Sequence, residues 1–461
     1  MVERSPDTPG VRERDDTMDD RLTQSLQDLD RHHHLHPFTD ARVFNDAGVR
    51  VITGAEGVYL TTSRGHRVLD GMAGLWCVNI GYGRPELARA AHDQLLSLPY
   101  YNTFFQTSTV PTTRLAGRLA EIAPEGFNHV FFANSGSEAN DTAAKMVRWY
   151  WHTKGQPSRK TIISRRHAYH GVTMAAASMC GLEEMHPQFD LPLPGFIHAD
   201  CPYWYRYGRG MDPEDFGIAA ARSVERLITE NGPENIGAFI GEPVMGAGGV
   251  IVPPESYWPE IMRICRRYDI LVIADEVICG FGRTGEWFGS NTFGIEPDIM
   301  TIAKGLSSGY QPISGVLVHD RIAGVMVEEG GEFQHGFTWS GHPVAAAVAL
   351  ENIDILQREA IIETCRNVTA PHMQQRLQDL VDRPLVGEVR GVGMMAAVEL
   401  RGKKGTAAMV REEAWKRGLL VRATGESLIL SPPLIITADE VDMLADTLLA
   451  TLDAVESQPA A

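Results

Sequence analysis

No apolar run in this chain of 461 residues approaches the ~20 needed to span a bilayer as a helix, which excludes a membrane-spanning reading. The opening residues Met1, Val2, Glu3, Arg4, Ser5 and Pro6 lack the apolar centre of a secretory leader. Cysteine is scarce: Cys77, Cys180, Cys201, Cys265, Cys279 and Cys365 are scattered, with neither a CxxC nor any paired spacing. A chain of this size has no need of disulfide staples, so reduced thiols and a cytoplasmic location are expected, and no zinc site. Positive charge is in the minority too. There are 42 Lys and Arg against 59 Asp and Glu, a net −17, which argues against nucleic acid or an anionic membrane as partner. With 44% apolar and 22% charged residues, what remains is an ordinary globular composition, long enough for two domains.

The chain is organised around residues 270–309. An apolar run at 270–274 ends on the acidic pair Asp275 and Glu276, and a second at 299–303 ends on Lys304 and Gly305. Short β-branched runs without alternation suit strands buried on both faces of a parallel sheet. Open α/β sheets bind ligands at the C-terminal ends of such strands. An aspartate and a lysine there, 29 positions apart, are what a pyridoxal phosphate enzyme needs: the lysine forms a Schiff base and the aspartate keeps the pyridine nitrogen protonated. Taken singly, an Asp at a strand end is often only a helix cap and a Lys a solvated terminus, so the surrounding chain has to decide.

Residues 1–20, rich in Asp, Glu and Arg and free of aromatics, read as a disordered tail. His32, His33, His34 and His36 precede Pro37, but imidazoles so crowded cannot easily close a tetrahedral site, and no metal is expected. Residues 51–70 alternate around Gly54, Gly57 and Gly65 as strand-turn-strand units do. Segment 72–83 is too punctuated by glycine for a helix, and its Trp76 reads equally as core or as pocket wall. A helix is expected at 85–98, then an aromatic cluster at 100–105 whose plain reading is core or subunit interface.

A strand at 130–132 leads into Ser135, Gly136, Ser137 and Glu138 and a helix to about 152. Ser135-x-x-Glu138 resembles a capping box. The free N–H groups of Gly136 and Ser137 at a positive helix end make a phosphate seat. Further on come a strand at 161–164, Tyr169 before His170 and Gly171, an aromatic surface loop at 201–215, and a strand at 236–240 ending in Glu242 and Pro243. Gly280, Gly282 and Gly285 spell GxGxxG, but no amphipathic helix follows, which excludes a dinucleotide site. A hydroxyl-rich loop at 333–343, with Thr338, runs into a helix at 344–359. Strands near 388–400, 419–422 and 428–433, a helix at 409–416 and a final helix from Thr437 read as a separate smaller domain.

Over residues 30–455 this order of motifs resembles the class III aminotransferases. The resemblance implies an α/β, aspartate-aminotransferase-like fold (fold type I of the pyridoxal phosphate enzymes), a large domain with a mostly parallel central sheet plus a smaller α+β domain. It implies 21–75 as an N-terminal segment packing with the small domain, 76–345 as the cofactor domain and 346–461 as the small domain. Pyridoxal 5′-phosphate is the implied cofactor. Lys304 is the implied Schiff-base lysine and proton shuttle, and Asp275 the partner of the pyridine nitrogen. Tyr169 and Val277 take the two ring faces, and Ser135, Gly136 and Ser137 the phosphate, joined by Thr338 from the partner of a homodimer with shared sites. Glu242 supports the polar network, and Trp76 lines the substrate pocket. Whether dimers pair into a tetramer is left open.

Within the class, segments 74–81 and 419–433 look most like the ω-amine:pyruvate aminotransferases. That implies ping-pong transfer of an amino group from a primary amine or ω-amino acid to pyruvate, giving alanine. Arg422 would then bind the keto-acid carboxylate bidentately and swing aside for an uncharged amine substituent. Glutamate-using relatives carry an acidic residue where this chain has Ala247, and often a glutamine where it has Ile278. Both departures favour pyruvate over 2-oxoglutarate. The alternatives are another fold type I enzyme, such as a dialkylglycine decarboxylase or aminomutase, or a cofactor-binding protein without catalysis. The intact Lys304, Asp275 and Arg422 speak against the last.

Overall fold

The computed structural model describes residues 20–208 and 210–457. The tail expected at 1–20 lies outside them, except for Asp20, which opens the helix Asp20–His33. In chain order the strands are β1 Ile52–Glu56, β2 Tyr59–Thr62, β3 Arg67–Asp70, β4 His129–Ala133, β5 Thr161–Arg165, β6 Phe196–Ala199, β7 Ile236–Gly241 and β8 Leu271–Asp275. They continue with β9 Ile299–Ile302, β10 Ser314–Val318, β11 Val386–Val392, β12 Met395–Leu400, β13 Leu419–Leu420, β14 Arg422–Thr424 and β15 Ser427–Leu430.

Seven of these form the central sheet, in the order β4-β10-β9-β8-β7-β5-β6. All neighbours are parallel except at β10, which runs antiparallel to both β4 and β9. The apolar strands β7, β8 and β9 are buried at every position, as a sheet covered on both sides requires. Alternate residues serve opposite layers. Ile240 and Ile273 pack with Val147 and Trp151 of the helix Gly136–Thr153. Phe239 and Val272 pack with Val224 and Trp258, on the helices Pro213–Asn231 and Tyr257–Arg267. Each such fully buried side chain contributes roughly 1.5–3 kcal/mol.

Two smaller sheets flank this core. β1-β2-β3 is an antiparallel meander extended by β13, which runs parallel to β3. β11-β12-β15-β14 is antiparallel throughout. The single strand expected at 419–422 is therefore two: Leu419 and Leu420 pair with β3, and beyond Val421 the chain pairs with β15 instead. One segment serves two sheets because Val421 is buried between them. The helix Pro343–Arg358 spans the domain division expected at 345/346. The last helix, Ala438–Glu456, opens with a full capping box between Thr437 and Glu440.

Candidate active site

The carboxyl ends of the parallel strands converge on a cavity of about 350 Å³, lined by Ser135, Gly136, Ser137, Tyr169, Glu242, Asp275, Val277 and Lys304 among others. Asp275 ends β8, and the other seven come from the segments following β4, β5, β7, β8 and β9, so the sheet brings them together. Asp275 is the last residue of β8, in register with Thr301 on β9. Lys304 follows two residues beyond β9, with φ +46°. That left-handed backbone is costly for a non-glycine residue and is often found where function demands it.

Asp275 is held from three sides. His170 Nδ1 donates to its Oδ2 at 2.7 Å, Asn140 Nδ2 donates to the same oxygen at 2.8 Å, and Val277 N donates to Oδ1 at 3.1 Å. Asn140 is itself fixed, giving a second bond to His170 O and accepting from Thr301 Oγ1. Burial pushes the Lys304 ammonium below the usual lysine range, and the Asp275 carboxylate opposes that push. Burial also raises the Tyr169 phenol and the Glu242 carboxyl. Glu242 accepts from Tyr169 N through one oxygen and from Gly246 N through the other.

At the opposite end of the cavity, Ser135 caps the helix Gly136–Thr153 by accepting from Glu138 N at 3.2 Å. The reciprocal bond of the expected capping box is displaced by one residue: Glu138 accepts from Asn134 N and Asn134 Nδ2, not from Ser135 N. The first N–H groups of the helix keep no intrahelical partner and aim a positive end at the cavity. Gly171 (φ +132°) packs so closely on this end that a Cβ would meet Ser137 Oγ at 2.5 Å. Ser137 Oγ in turn accepts from Val172 N. These features fit the implied cofactor: an anion seat, an apolar wall at Val277 and Tyr169, a carboxylate and a partly dehydrated lysine in one enclosure.

Three expected residues stand apart from this cavity wall. Arg422 is half-buried near Tyr169 and Lys304, and its guanidinium makes no ion pair or hydrogen bond among the described residues; burial lowers its basicity. Trp76, with φ +64°, turns inward and is 1% exposed, in an apolar cluster with Met72, Val244, Val250 and Ile278. It therefore backs Ile278, which does line the cavity. Thr338 is exposed, its carbonyl accepting from Tyr100 Oη at 2.7 Å, and it does not reach the cavity of its own chain.

Asn140 and the assignment of His170 were not anticipated. Asn140 lies one turn after Ser137 on the cavity side of the helix, which was the available signal; the Tyr169-His170-Gly171 run was noticed without a role for the histidine. In the histidine run, His36 Nε2 and His34 Nδ1 gather on Asp30, a residue outside the run, at 2.9 and 3.2 Å. The three groups offer ligand atoms within 4.8 Å of one another. The GxGxxG stretch is loop, closed by a turn from Gly282 to Gly285, with no helix until the short Gly289–Phe293.

Residues 43–452 match the family Aminotransferase class-III, whose members depend on pyridoxal phosphate. The chain is 56% identical over 440 residues to a putrescine–pyruvate aminotransferase of Pseudomonas aeruginosa, covering 94% of this chain and 96% of that one. It is 42% identical over 443 residues to a diaminobutyrate–2-oxoglutarate transaminase of Halomonas elongata, covering 91% and 94%. Among solved structures it is similar to the omega transaminase of Pseudomonas jessenii in complex with PMP (TM-score 0.91, 45% identity, 93% and 98% covered). It is equally similar to a thermostable (S)-enantioselective omega-transaminase of Thermomicrobium roseum (TM-score 0.91, 45% identity, 94% and 98% covered). With residues 43–452 matched by the family and relatives similar over nearly the whole length, the chain belongs to the class III aminotransferases and has their α/β fold.

Proposed function

We propose that this aminotransferase moves an amino group from a primary amine or ω-amino acid to pyruvate. The observation that carries the reading is Arg422: a half-buried guanidinium beside Tyr169 and Lys304, with no carboxylate paired to it among the described residues. Such a group is poised for a small carboxylate. Ala247, buried beside Gly246, offers no acidic side chain to occupy Arg422 between half-reactions. Pyridoxal phosphate held in the cavity would supply an aldehyde carbon for the amino group and an electron-withdrawing ring beside it.

The chain's own residues do the rest. Ser135, Gly136 and Ser137 bind the phosphate at the helix end. Tyr169 and Val277 give the ring its apolar walls, and Glu242 fixes the Tyr169 backbone. Asp275, steadied by His170 and Asn140, faces the pyridine nitrogen and holds a proton there. Lys304 Nζ, its charged form disfavoured by burial, moves the proton at the reacting substrate carbon. Trp76, rigid behind Ile278, limits how far the substrate wall yields.

We place the working form as a homodimer in which Thr338 completes the partner's phosphate site. In support, Thr338 faces solvent on a segment bonded to 100–103, alongside Trp339 (60% exposed) and Phe105 (89% exposed). An apolar face of this kind marks an interface. Six unpaired cysteines favour a cytoplasmic setting. We also retain 76–345 as the cofactor unit and 346–461 with 21–75 as the smaller domain, supported by the β3–β13 pairing.

A spectroscopic half-reaction tests the assignment. An amine should bleach the bound cofactor's absorbance, pyruvate should restore it, and 2-oxoglutarate should restore it poorly. Release of carbon dioxide, or turnover without any keto acid, would move the chain to the decarboxylase or aminomutase reading. Mixed dimers of Lys304→Ala and Thr338→Ala chains test the shared site: one of the two cavities should regain activity.

A further inference from the structure

Away from the cavity, a cluster of buried charge lies where β11, β12 and β15 meet the loop at 246–250. Arg390, on β11, donates through Nε to Gly249 O and Val250 O, both at 3.1 Å, and through Nη2 to Gly249 O at 2.5 Å. The same guanidinium donates to Glu388 Oε2 at 2.8 Å and to Ser427 Oγ at 2.9 Å, and lies 4.5 Å from the Tyr203 ring centroid. Glu399 closes the cluster, accepting from Tyr203 Oη at 3.1 Å and from Ser427 Oγ and Arg206.

Both ends of this cluster lead to the substrate site. The loop is pinned at Gly246 by Glu242, whose other oxygen holds the Tyr169 backbone. Ser427 sits opposite Thr424 in the β14–β15 ladder, the same ladder in which Arg422 pairs with Ile429. A planar guanidinium with five donors can tie the two carbonyls and the hydroxyl together; a lysine ammonium cannot span the same geometry. The loop on the cavity side and the hairpin carrying Arg422 are thus locked through one side chain.

We propose that Arg390 is a positioning residue for keto-acid recognition, setting the separation between Arg422 and the Glu242–Tyr169 wall so that Arg422 meets a carboxylate squarely. This rests on the role given to Arg422. It adds a residue that touches neither substrate nor cofactor and acts through the hairpin.

The test uses Arg390→Lys in the holoenzyme, alone and combined with Arg422→Ala. Misplacement of a binding group by ~1 Å can cost up to ~100-fold, so Arg390→Lys should weaken pyruvate in its half-reaction, and the unreactive propanoate in calorimetry, by about tenfold. The half-reaction with an uncharged amine should change by less than about twofold, and in the Arg422→Ala background the loss should vanish, because the effect runs through Arg422. Equal losses in both half-reactions, or a pyruvate loss that persists without Arg422, would overturn the proposal. If Arg422→Ala itself leaves pyruvate and propanoate binding intact, the role of Arg422 falls instead, and the two failures are told apart. Ser427→Ala, which cuts one link and keeps the guanidinium, serves if Arg390→Lys does not fold; it should weaken propanoate in the same direction, and an unchanged affinity would count against the proposal.

Discussion

Replacing Glu276 by glutamine separates the two neighbouring carboxylates at the end of β8. Consecutive residues of an extended chain face opposite ways, so Asp275 meets the cavity and Glu276 turns from it into the core. There Glu276 accepts from Gly289 N at 2.8 Å and from Ser290 N and Ser290 Oγ, both at 2.6 Å. Burial outweighs these bonds and raises its carboxyl from the ordinary 4.5 to about 7. In the unfolded chain the proton leaves near 4.5, so between 4.5 and 7 the folded state binds more protons and stability falls as pH rises. At ~1.4 kcal/mol per pH unit the group costs the fold about 3 kcal/mol above pH 7 that it does not cost below 4.5.

Glutamine has the same shape but does not titrate, and its amide N–H must face a backbone donor at Gly289 or Ser290, costing ~1–3 kcal/mol at every pH. The variant should therefore be less stable than wild type at pH 4.5, and its deficit should shrink by about 3 kcal/mol by pH 8. With an unfolding entropy of ~2.1 cal/mol/K per residue, that is about 3 °C in the Tm difference for a chain of 461 residues. Paired thermal scans of the two holoenzymes at equal cofactor and protein concentration read it directly. A Tm difference that is flat with pH, or that widens as pH rises, would refute the placement of that proton.

Lys304→Ala should abolish both half-reactions while the cofactor still binds, a result that single-turnover absorbance checks; normal turnover would sink the assignment of Lys304. Asn140→Ala removes a donor to Asp275 and the acceptor for Thr301, a buried charge-assisted bond worth ~1.5–3 kcal/mol, so cofactor affinity should fall at least tenfold in equilibrium dialysis. Gly136→Ala places a Cβ 3.0 Å from Val277 Cγ1, tighter than ordinary contact, so the variant should bind the cofactor more weakly and Val277→Ala should restore part of the loss. Arg422→Lys keeps the charge but loses the fork, and should raise the KM for pyruvate by about tenfold while simple amines are little affected; equal effects on both would refute bidentate recognition.

Much of the site could be read from the sequence because parallel strands buried on both faces show as unbroken apolar runs, and the residue that ends each run is where ligands bind. Asp275, Lys304, Glu242 and the Ser135–Ser137 turn were found that way. Asn140 and His170 were not, because a polar residue on a helix face or after an aromatic does not declare which carboxylate it will meet 135 or 105 positions later. Trp76 stayed ambiguous for a backbone reason: whether an indole in a glycine-rich turn faces a cavity or the core depends on a φ of +64° that composition does not report. The switch at Val421 was hidden because four apolar or long residues in a row read as one strand, whichever sheet each pairs with. Arg390 was hidden because its nearby partner Glu388 reads as an ordinary charge pair, while the partners that tie it to the site, Gly249 and Ser427, are 141 and 37 positions away.

The two halves of the site are tied into the fold to different degrees, and the proposed mechanism makes use of that difference. The cofactor half stands on the ends of fully buried strands, with Asp275, Asn140, Thr301 and His170 each fixed by at least one hydrogen bond within the core. On the role proposed for Lys304, which moves a proton in each half-reaction, this geometry has to stay the same in both. The substrate half hangs on β14, a three-residue strand at the edge of its sheet, and the guanidinium of its Arg422 has no hydrogen-bond or ion-pair partner among the described residues. On the role proposed for Arg422, an edge position leaves room for that side chain to approach a carboxylate in one half-reaction and to withdraw from an apolar substituent in the next. If the backbone beneath it moved as freely, the swing would lose its reference point, and that is the freedom the buried Arg390 cluster removes.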